Sequence, residues 1–243
     1  LPRQLIFDFP VNPKFNFANF VVCPGNKAAY HFARQLAEGD GTENLLYIYG
    51  PAGSGKTHLL SALGNSYLSK TQLASIPSIS CKNIDELYQG SYPAEGESKL
   101  AGLFRDAPAL LVDDIHLMPD NANIRVELWQ VFNDFYTAGK NIVITGLFPP
   151  KELPGLDGHL TSRLLWGLVA KLDVSDDDSR RMILGKLAED RQIVLPHEVI
   201  DHLLSHVRRD IPSLVAALET ISRFALATGR KISLRLAKEA LGR

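Results

Sequence analysis

The sequence predicts an α/β sandwich on a parallel sheet, followed by a small all-helical domain. Three observations carry that prediction. Gly50-Pro51-Ala52-Gly53-Ser54-Gly55-Lys56-Thr57 fits G-x-x-x-x-G-K-[ST] between an apolar run at 44–49 and an amphipathic stretch at 57–68. Residues 109–112 form a second apolar run, tipped by Asp113 and Asp114. Beyond Ser175-Asp176-Asp177-Asp178 no convincing strand remains, and the apolar spacing is helical. Strands alternating with helices ahead of that acidic break imply parallel pairing with right-handed crossovers.

The elements follow in order. Residues 1–20 hold three prolines and many aromatics without periodicity, so they read as an extended arm. Residues 26–36 read as a helix that Asn26 can cap. Strand 44–49, the glycine loop and helix 57–68 come next, the helix placing Leu59, Leu60, Leu63 and Tyr67 on one side. A short strand is expected at 73–76 and a short helix at 83–89, capped by Asn83. Gly90, Pro93 and Gly96 break the chain before a helical piece at 99–104. After the acid-tipped strand, Val126, Trp129, Phe132, Phe135 and Tyr136 mark a helix over 124–137, and Gly139 ends it. Residues 141–145 read as a buried strand, 149–155 as an irregular connection, and 168–172 as a last strand. The second domain is expected to hold helices over 178–190, 196–206 (opened by a proline), 211–227 (capped by Asp210) and 233–241. The expected organisation is an arm at 1–20, an α/β domain at 21–173 and a helical domain at 174–243.

A chain of 243 residues can bury a full core, and 45% apolar with 22% charged residues is ordinary for a globular protein. A net charge of -1 argues against a strongly basic nucleic-acid binder, while leaving room for a local patch. Two cysteines, Cys23 and Cys81, imply no disulfide framework and fit a reducing cytoplasm. No uninterrupted apolar run approaches the roughly 18 residues of a membrane span, and no signal-peptide pattern opens the chain.

The chemistry predicted is phosphate and metal binding. Backbone N–H groups of a glycine loop at a helix N-terminus converge on phosphates, and the helix dipole favours the anion. Gly53 and Gly55 allow the backbone to approach closely and to take positive φ. Lys56 would reach the outer phosphates, and the Thr57 hydroxyl would ligate Mg²⁺. A carboxylate at a neighbouring strand end completes such a site, so Asp113 is assigned to the metal and Asp114 to the attacking water. A polar cap on a strand is the plain alternative for the two acids. A small helical domain after a nucleotide-binding one suggests a switch.

These motifs have a wider context. Asn12-Pro13-Lys14-Phe15-Asn16-Phe17-Ala18-Asn19-Phe20-Val21-Val22, the loop with His58-Leu59-Leu60 after it, and Leu111-Val112-Asp113-Asp114-Ile115 stand in order. Residues 138–145 (AGKNIVIT) and 160–168 (LTSRLLWGL) follow them. From about residue 12 to 241 the sequence resembles the DnaA/Hda family, the AAA+ modules of bacterial replication initiators and their shorter regulatory relatives. The resemblance implies a P-loop AAA+ parallel-sheet sandwich followed by a helical lid, with ATP or ADP and Mg²⁺ as ligands. It implies that residues 20–23, Val21 and Val22 among them, line the adenine side, with His58 closing the loop motif. An ordinary apolar arm packed on the sheet is the alternative there. Arg163 matches the family's arginine finger, which acts in trans on a neighbour's nucleotide; a surface arginine on a helix is its plain alternative.

Two positions depart from the family pattern. Leu147 stands where a polar nucleotide sensor is common, leaving Thr145 as the nearby polar candidate. Pro212 stands where the lid usually offers an arginine, and Arg208 and Arg209 lie nearby out of register. The expectation is therefore nucleotide binding with weak ATPase activity, or weak discrimination of ATP from ADP.

Gln4-Leu5-Ile6-Phe7-Asp8-Phe9 resembles the short peptide by which bacterial replication proteins grip the sliding clamp. Leu5, Phe7 and Phe9 would fill an apolar groove and the Gln4 amide would make polar contacts. An arm covering an edge of its own domain is the alternative. The resemblance thus implies two readings. In one, an Hda-like regulator docks on the clamp and promotes hydrolysis of ATP held by the initiator DnaA; it is cytoplasmic, and nucleoid-associated when clamp-bound. In the other, the chain is the AAA+ part of an initiator or helicase loader that self-associates with nucleotide and assembles on DNA. A small-molecule kinase is disfavoured, because no acceptor-binding constellation is visible. No helix-turn-helix segment follows Arg243, so DNA contact through such a domain is not expected. Arg230, Lys231, Arg235, Lys238 and Arg243 offer a basic strip that reads more simply as a solvated face.

Overall fold

A computed structural model describes residues 12–73, 75–90, 98–155 and 158–242. Among these, residues 12–20, 28–51 and 55–172 form one compact unit, and 21–27, 52–54 and 173–242 a second.

The first unit is built on five strands: β1 (Leu45–Tyr49), β2 (Ile79–Ser80), β3 (Ala109–Asp113), β4 (Asn141–Gly146) and β5 (Leu168–Lys171). They lie in the order β2-β3-β4-β1-β5, every pairing parallel. The central strands read as unbroken apolar runs because both faces are covered: Leu45, Leu46, Tyr47 and Ile48 are fully buried, as are Leu110, Leu111 and Val112. Helices α1 (Lys27–Glu38), α2 (Lys56–Leu68), α3 (Ile84–Gly90), α4 (Lys99–Phe104), α5 (Ala122–Thr137) and α6 (Gly158–Leu164) fill the connections. Phe104, Leu128, Phe132 and Phe135 join Leu45, Leu110 and Ile142 in one core.

Register sets the site. β4 pairs with both β3 and β1, Val112 opposite Ile144 and Ile48 opposite Thr145. The carboxyl ends of three adjacent strands therefore finish at one level, where ligands bind in open parallel sheets. Gly167 holds β5 close to β1: a Cβ there would lie 2.3 Å from the Leu45 carbonyl oxygen.

Three local expectations are corrected. The second strand is Ile79–Ser80, not 73–76, and it pairs with Val112 and Asp113. Pro77 makes an isolated bridge but lacks the N–H that a continuous ladder needs. α5 starts at Ala122, two residues early, because Asn121 accepts from the N–H groups of Asn123 and Ile124. The stretch before β5 contains α6, whose two turns are too short to show a period.

The second unit contains α7 (Asp177–Asp190), α8 (His197–His206), α9 (Ile211–Thr228) and α10 (Leu234–Leu241). Asp176, Asp210 and Ser233 cap α7, α9 and α10, each side chain accepting a backbone N–H three residues on. Leu184, Val199, Leu203, Leu214, Leu218, Ile221 and Leu236 make a separate apolar core. α9 has the length and hydropathy of a membrane span, yet it turns Leu214, Leu218 and Ile221 into that core and carries Glu219, which pairs with Arg191. On α10 the basic strip is partly spent internally: Glu239 takes Arg230 at 2.7 Å and Arg235 at 3.1 Å.

Candidate functional site

α2 begins where the glycine loop ends. Gly55 occupies the left-handed region (φ 105) immediately before Lys56, the first residue of α2, and Gly53 also has positive φ (73). The N–H groups of the first turn consequently have no partner within the helix and face the loop's concavity. Lys56 is buried and donates to the carbonyls of Gly50 (2.8 Å) and Pro51 (2.9 Å). Burial lowers its pKa, while Asp114 and Asp113 oppose that shift.

Thr57, the second residue of α2, donates its hydroxyl to Asp113 Oδ2 at 2.7 Å. The other carboxylate oxygen accepts from Thr145 at 2.5 Å, and the Thr145 hydroxyl accepts the Asp114 N–H at 2.9 Å. Thr145 is fully buried, so this hydroxyl ties the two acids to the end of β4. Asp114 takes a left-handed conformation (φ 54), which turns the chain off the strand and separates its carboxylate from that of Asp113. Burial raises the Asp114 pKa and the neighbouring Asp113 charge adds to this, against His116, Lys56 and Lys82. A buried hydroxyl–carboxylate pair at a strand end suits a hard cation completed by phosphate oxygens and water, as Mg²⁺ prefers. Among the described residues no cluster of three or more His, Cys, Asp and Glu could hold a metal by itself.

Residues 12–20 are bolted to α2. His58 Nε2 lies 3.1 Å from the Asn16 carbonyl and 3.0 Å from Asn19 Oδ1, and its ring packs against Phe15 and Phe20. Asn65 Nδ2 donates to the carbonyls of Asn12 (2.8 Å) and Phe15 (2.7 Å). A Cβ on Gly55 would come within 3.3 Å of the Phe20 ring. His58 thus holds the arm in this structure, a role its place in the loop motif does not reveal. Residues 4–9, with Gln4, Leu5, Phe7 and Phe9, lie outside the described residues.

Val21, Val22, Ala52, Gly53 and Ser54 belong to the second unit. There Asn26 Nδ2 donates to the Val21 carbonyl (2.9 Å) and Asn26 Oδ1 accepts the Cys23 N–H (2.7 Å), shaping the turn after the two valines. A Cβ on Gly53 would stand 2.3 Å from Pro212 Cδ, so the ring of Pro212 abuts the loop without bringing charge. Arg208 pairs with Asp210 (3.0 Å), and Arg209 donates to the Leu204 carbonyl (3.3 Å).

Arg163 lies on α6. Its guanidinium carbon lies 4.2 Å from the centre of the Trp129 ring and 4.8 Å from that of Trp166, and Nη1 donates to Asn133 Oδ1. Trp129 and Asn133 face one side of α5 at helical spacing, but nothing in the sequence pairs them with Arg163.

The parallel β2-β3-β4-β1-β5 sheet, the glycine loop opening α2 and the acid-tipped β3 define the AAA+ class of P-loop proteins. Residues 11–171 match the family described as the bacterial DnaA ATPase domain, and residues 177–241 match the Hda lid domain. The chain belongs to the DnaA/Hda family. It is 33% identical over 234 residues to the chromosomal replication initiator protein DnaA of Thermotoga petrophila, covering 96% of this chain and 53% of that protein. The chain thus spans about half the length of the curated relatives it matches. Domain III of Thermotoga maritima DnaA superposes with a TM-score of 0.83 at 32% identity, covering 96% of this chain and 98% of that one. AMPPCP-bound DnaA from Aquifex aeolicus gives 0.76 at 26% identity, over 88% and 67%.

Two outcomes follow from the geometry. Thr145→Val leaves Asp113 Oδ1 and the Asp114 N–H without a partner and is expected to cost about 1–3 kcal/mol in urea unfolding, with Thr145→Ser restoring most of it. An unchanged midpoint for the valine variant contradicts the bridge. Burial depresses the His58 pKa below its ordinary 6.5. The unfolded chain therefore binds the proton more readily, so the stability His58 contributes is full above that ordinary value and falls away as the pH drops below it. Unfolding free energies of the wild type and His58→Leu, compared from about pH 7 down to about pH 5, should show the wild type losing more; parallel profiles refute the assignment.

Proposed function

We propose that this chain is an Hda-like, adenine-nucleotide-binding AAA+ regulator of bacterial replication initiation. The observation that carries the reading is the hydrogen-bonded Thr57–Asp113–Thr145 chain, with Lys56 held on the glycine loop beside Thr57, in a chain whose helical domain matches the Hda lid. ATP or ADP is bound by residues 50–57, with Val21 and Val22 toward the adenine. Thr57 and Asp113 would hold Mg²⁺, which would screen phosphate charge. The loop N–H groups and Lys56 orient the phosphates. Asp114, with its pKa raised, can take up a proton from water close to the phosphate end. With Pro212 against Gly53 and Leu147 after β4, turnover by the chain alone is expected to be slow.

The regulatory act is assigned to Arg163, presented to ATP held by the initiator DnaA, while Gln4, Leu5, Phe7 and Phe9 dock on the sliding clamp. The other reading, a DNA-assembling initiator or loader module, would draw on the basic strip, two of whose arginines are already paired with Glu239.

The experiment combines nucleotide titration with trans-stimulated hydrolysis on clamp-loaded DNA. Lys56→Ala should lose nucleotide affinity at least about tenfold, in line with removal of a charge-assisted phosphate contact. Arg163→Ala should keep that affinity and lose stimulation of the initiator's hydrolysis, and Gln4→Ala/Leu5→Ala should lose clamp binding. Salt-sensitive binding to single-stranded DNA without clamp binding would instead select the loader reading.

A further inference from the structure

The chain has two tryptophans, and the guanidinium of Arg163 lies over both. Trp129 comes from α5 and Trp166 from the turn after α6. Trp129 packs on Phe132 (5.9 Å), Phe132 on Tyr136 (6.1 Å) and Tyr136 on Trp166 (5.4 Å). These rings form a continuous aromatic arc around the arginine, anchored through Phe132, which is fully buried. Trp166 is half exposed, so the arc reaches the surface.

We propose that Trp129 and Trp166, with Asn133, are positioning residues that hold the Arg163 guanidinium as a prepared anion-binding fork, facing a phosphate presented by another protein molecule. The proposal deepens the trans-acting role given to Arg163 above, and rests on it. Cation–π attraction acts on the delocalised charge and requires none of the five N–H donors. One donor goes to Asn133, which fixes rotation of the planar group. A free arginine side chain loses about 2 kcal/mol of rotamer entropy when it is immobilised on a ligand; here the rings and Asn133 have already restricted it. Arginine suits this arrangement where lysine does not, because a planar group can rest on rings while its edge stays directed at an oxyanion.

The first test uses the chain alone. The Arg163 Nε–H resonance should be displaced from the other arginines by the indole ring currents, and should return to the common range in Trp129→Leu and Trp166→Leu. Inorganic triphosphate should shift that resonance in the wild type. An undisplaced resonance, or none of this response to triphosphate, overturns the proposal whatever the partner assay gives. Both tryptophans flank Arg163, so emission from the wild type and Arg163→Ala should also differ.

The second test measures hydrolysis of initiator-bound ATP at increasing chain concentration. Trp129→Leu should lower the maximal rate about tenfold, equivalent to about 1.4 kcal/mol, with little change in the half-saturating concentration. Trp129→Phe should restore part of that rate. A raised half-saturating concentration at unchanged maximal rate would make the indoles a mere contact surface and overturn their positioning role. Failure of the wild type to stimulate hydrolysis would instead remove the trans-acting reading, while the resonance measurement still decides the cradle.

Discussion

The carboxylate of Asp113 is the point through which the rest of the site is held. One oxygen accepts from Thr57 on α2 and the other from Thr145 on β4, while the residue itself ends β3. Three elements from distant parts of the sequence are therefore registered by one buried side chain. The arrangement works only because the sheet is parallel and β4 lies between β3 and β1, which brings all three strand ends to one level. A buried carboxylate needs such partners, and here they come from groups that also define the phosphate end of the site. Removing either hydroxyl would leave charge poorly solvated where the chain most needs a fixed geometry.

Around that point the molecule places charge unevenly. Lys56 is drawn inward to the Gly50 and Pro51 carbonyls, and Asp114 stands on a left-handed backbone close to a like charge. Asp113 is bridged by two hydroxyls, and burial together with the neighbouring Asp113 charge raises the Asp114 pKa. Within the second unit, the ring of Pro212 stands beside Gly53.

Much of this was legible in the sequence. The glycine loop, the apolar runs at 44–49 and 109–112 and the Asp210 cap of α9 are local signals, and the fold class followed from them. The elements that escaped are those with too few residues to show a period: the two-residue β2 displaced past Pro77, and α6. The surroundings of Arg163 escaped for another reason. Trp129 reads as one of the apolar residues of α5 and nothing in the sequence singles out Asn133; only the chain's return through α6 brings the arginine over them. His58 was read as part of the loop, yet its ring is occupied by Phe15, Phe20 and two asparagines from the arm.

That last attachment has a mechanical consequence. Asn65 and His58, seven residues apart along α2, grip residues 12–20, and His58 lies in the first turn next to Lys56 and Thr57. Any tension applied to the chain ahead of residue 12 is borne in series by these bonds before it reaches the sheet. The load would enter α2 through His58 in its first turn, directly after the glycine loop, making residues 12–20 a tether on that turn.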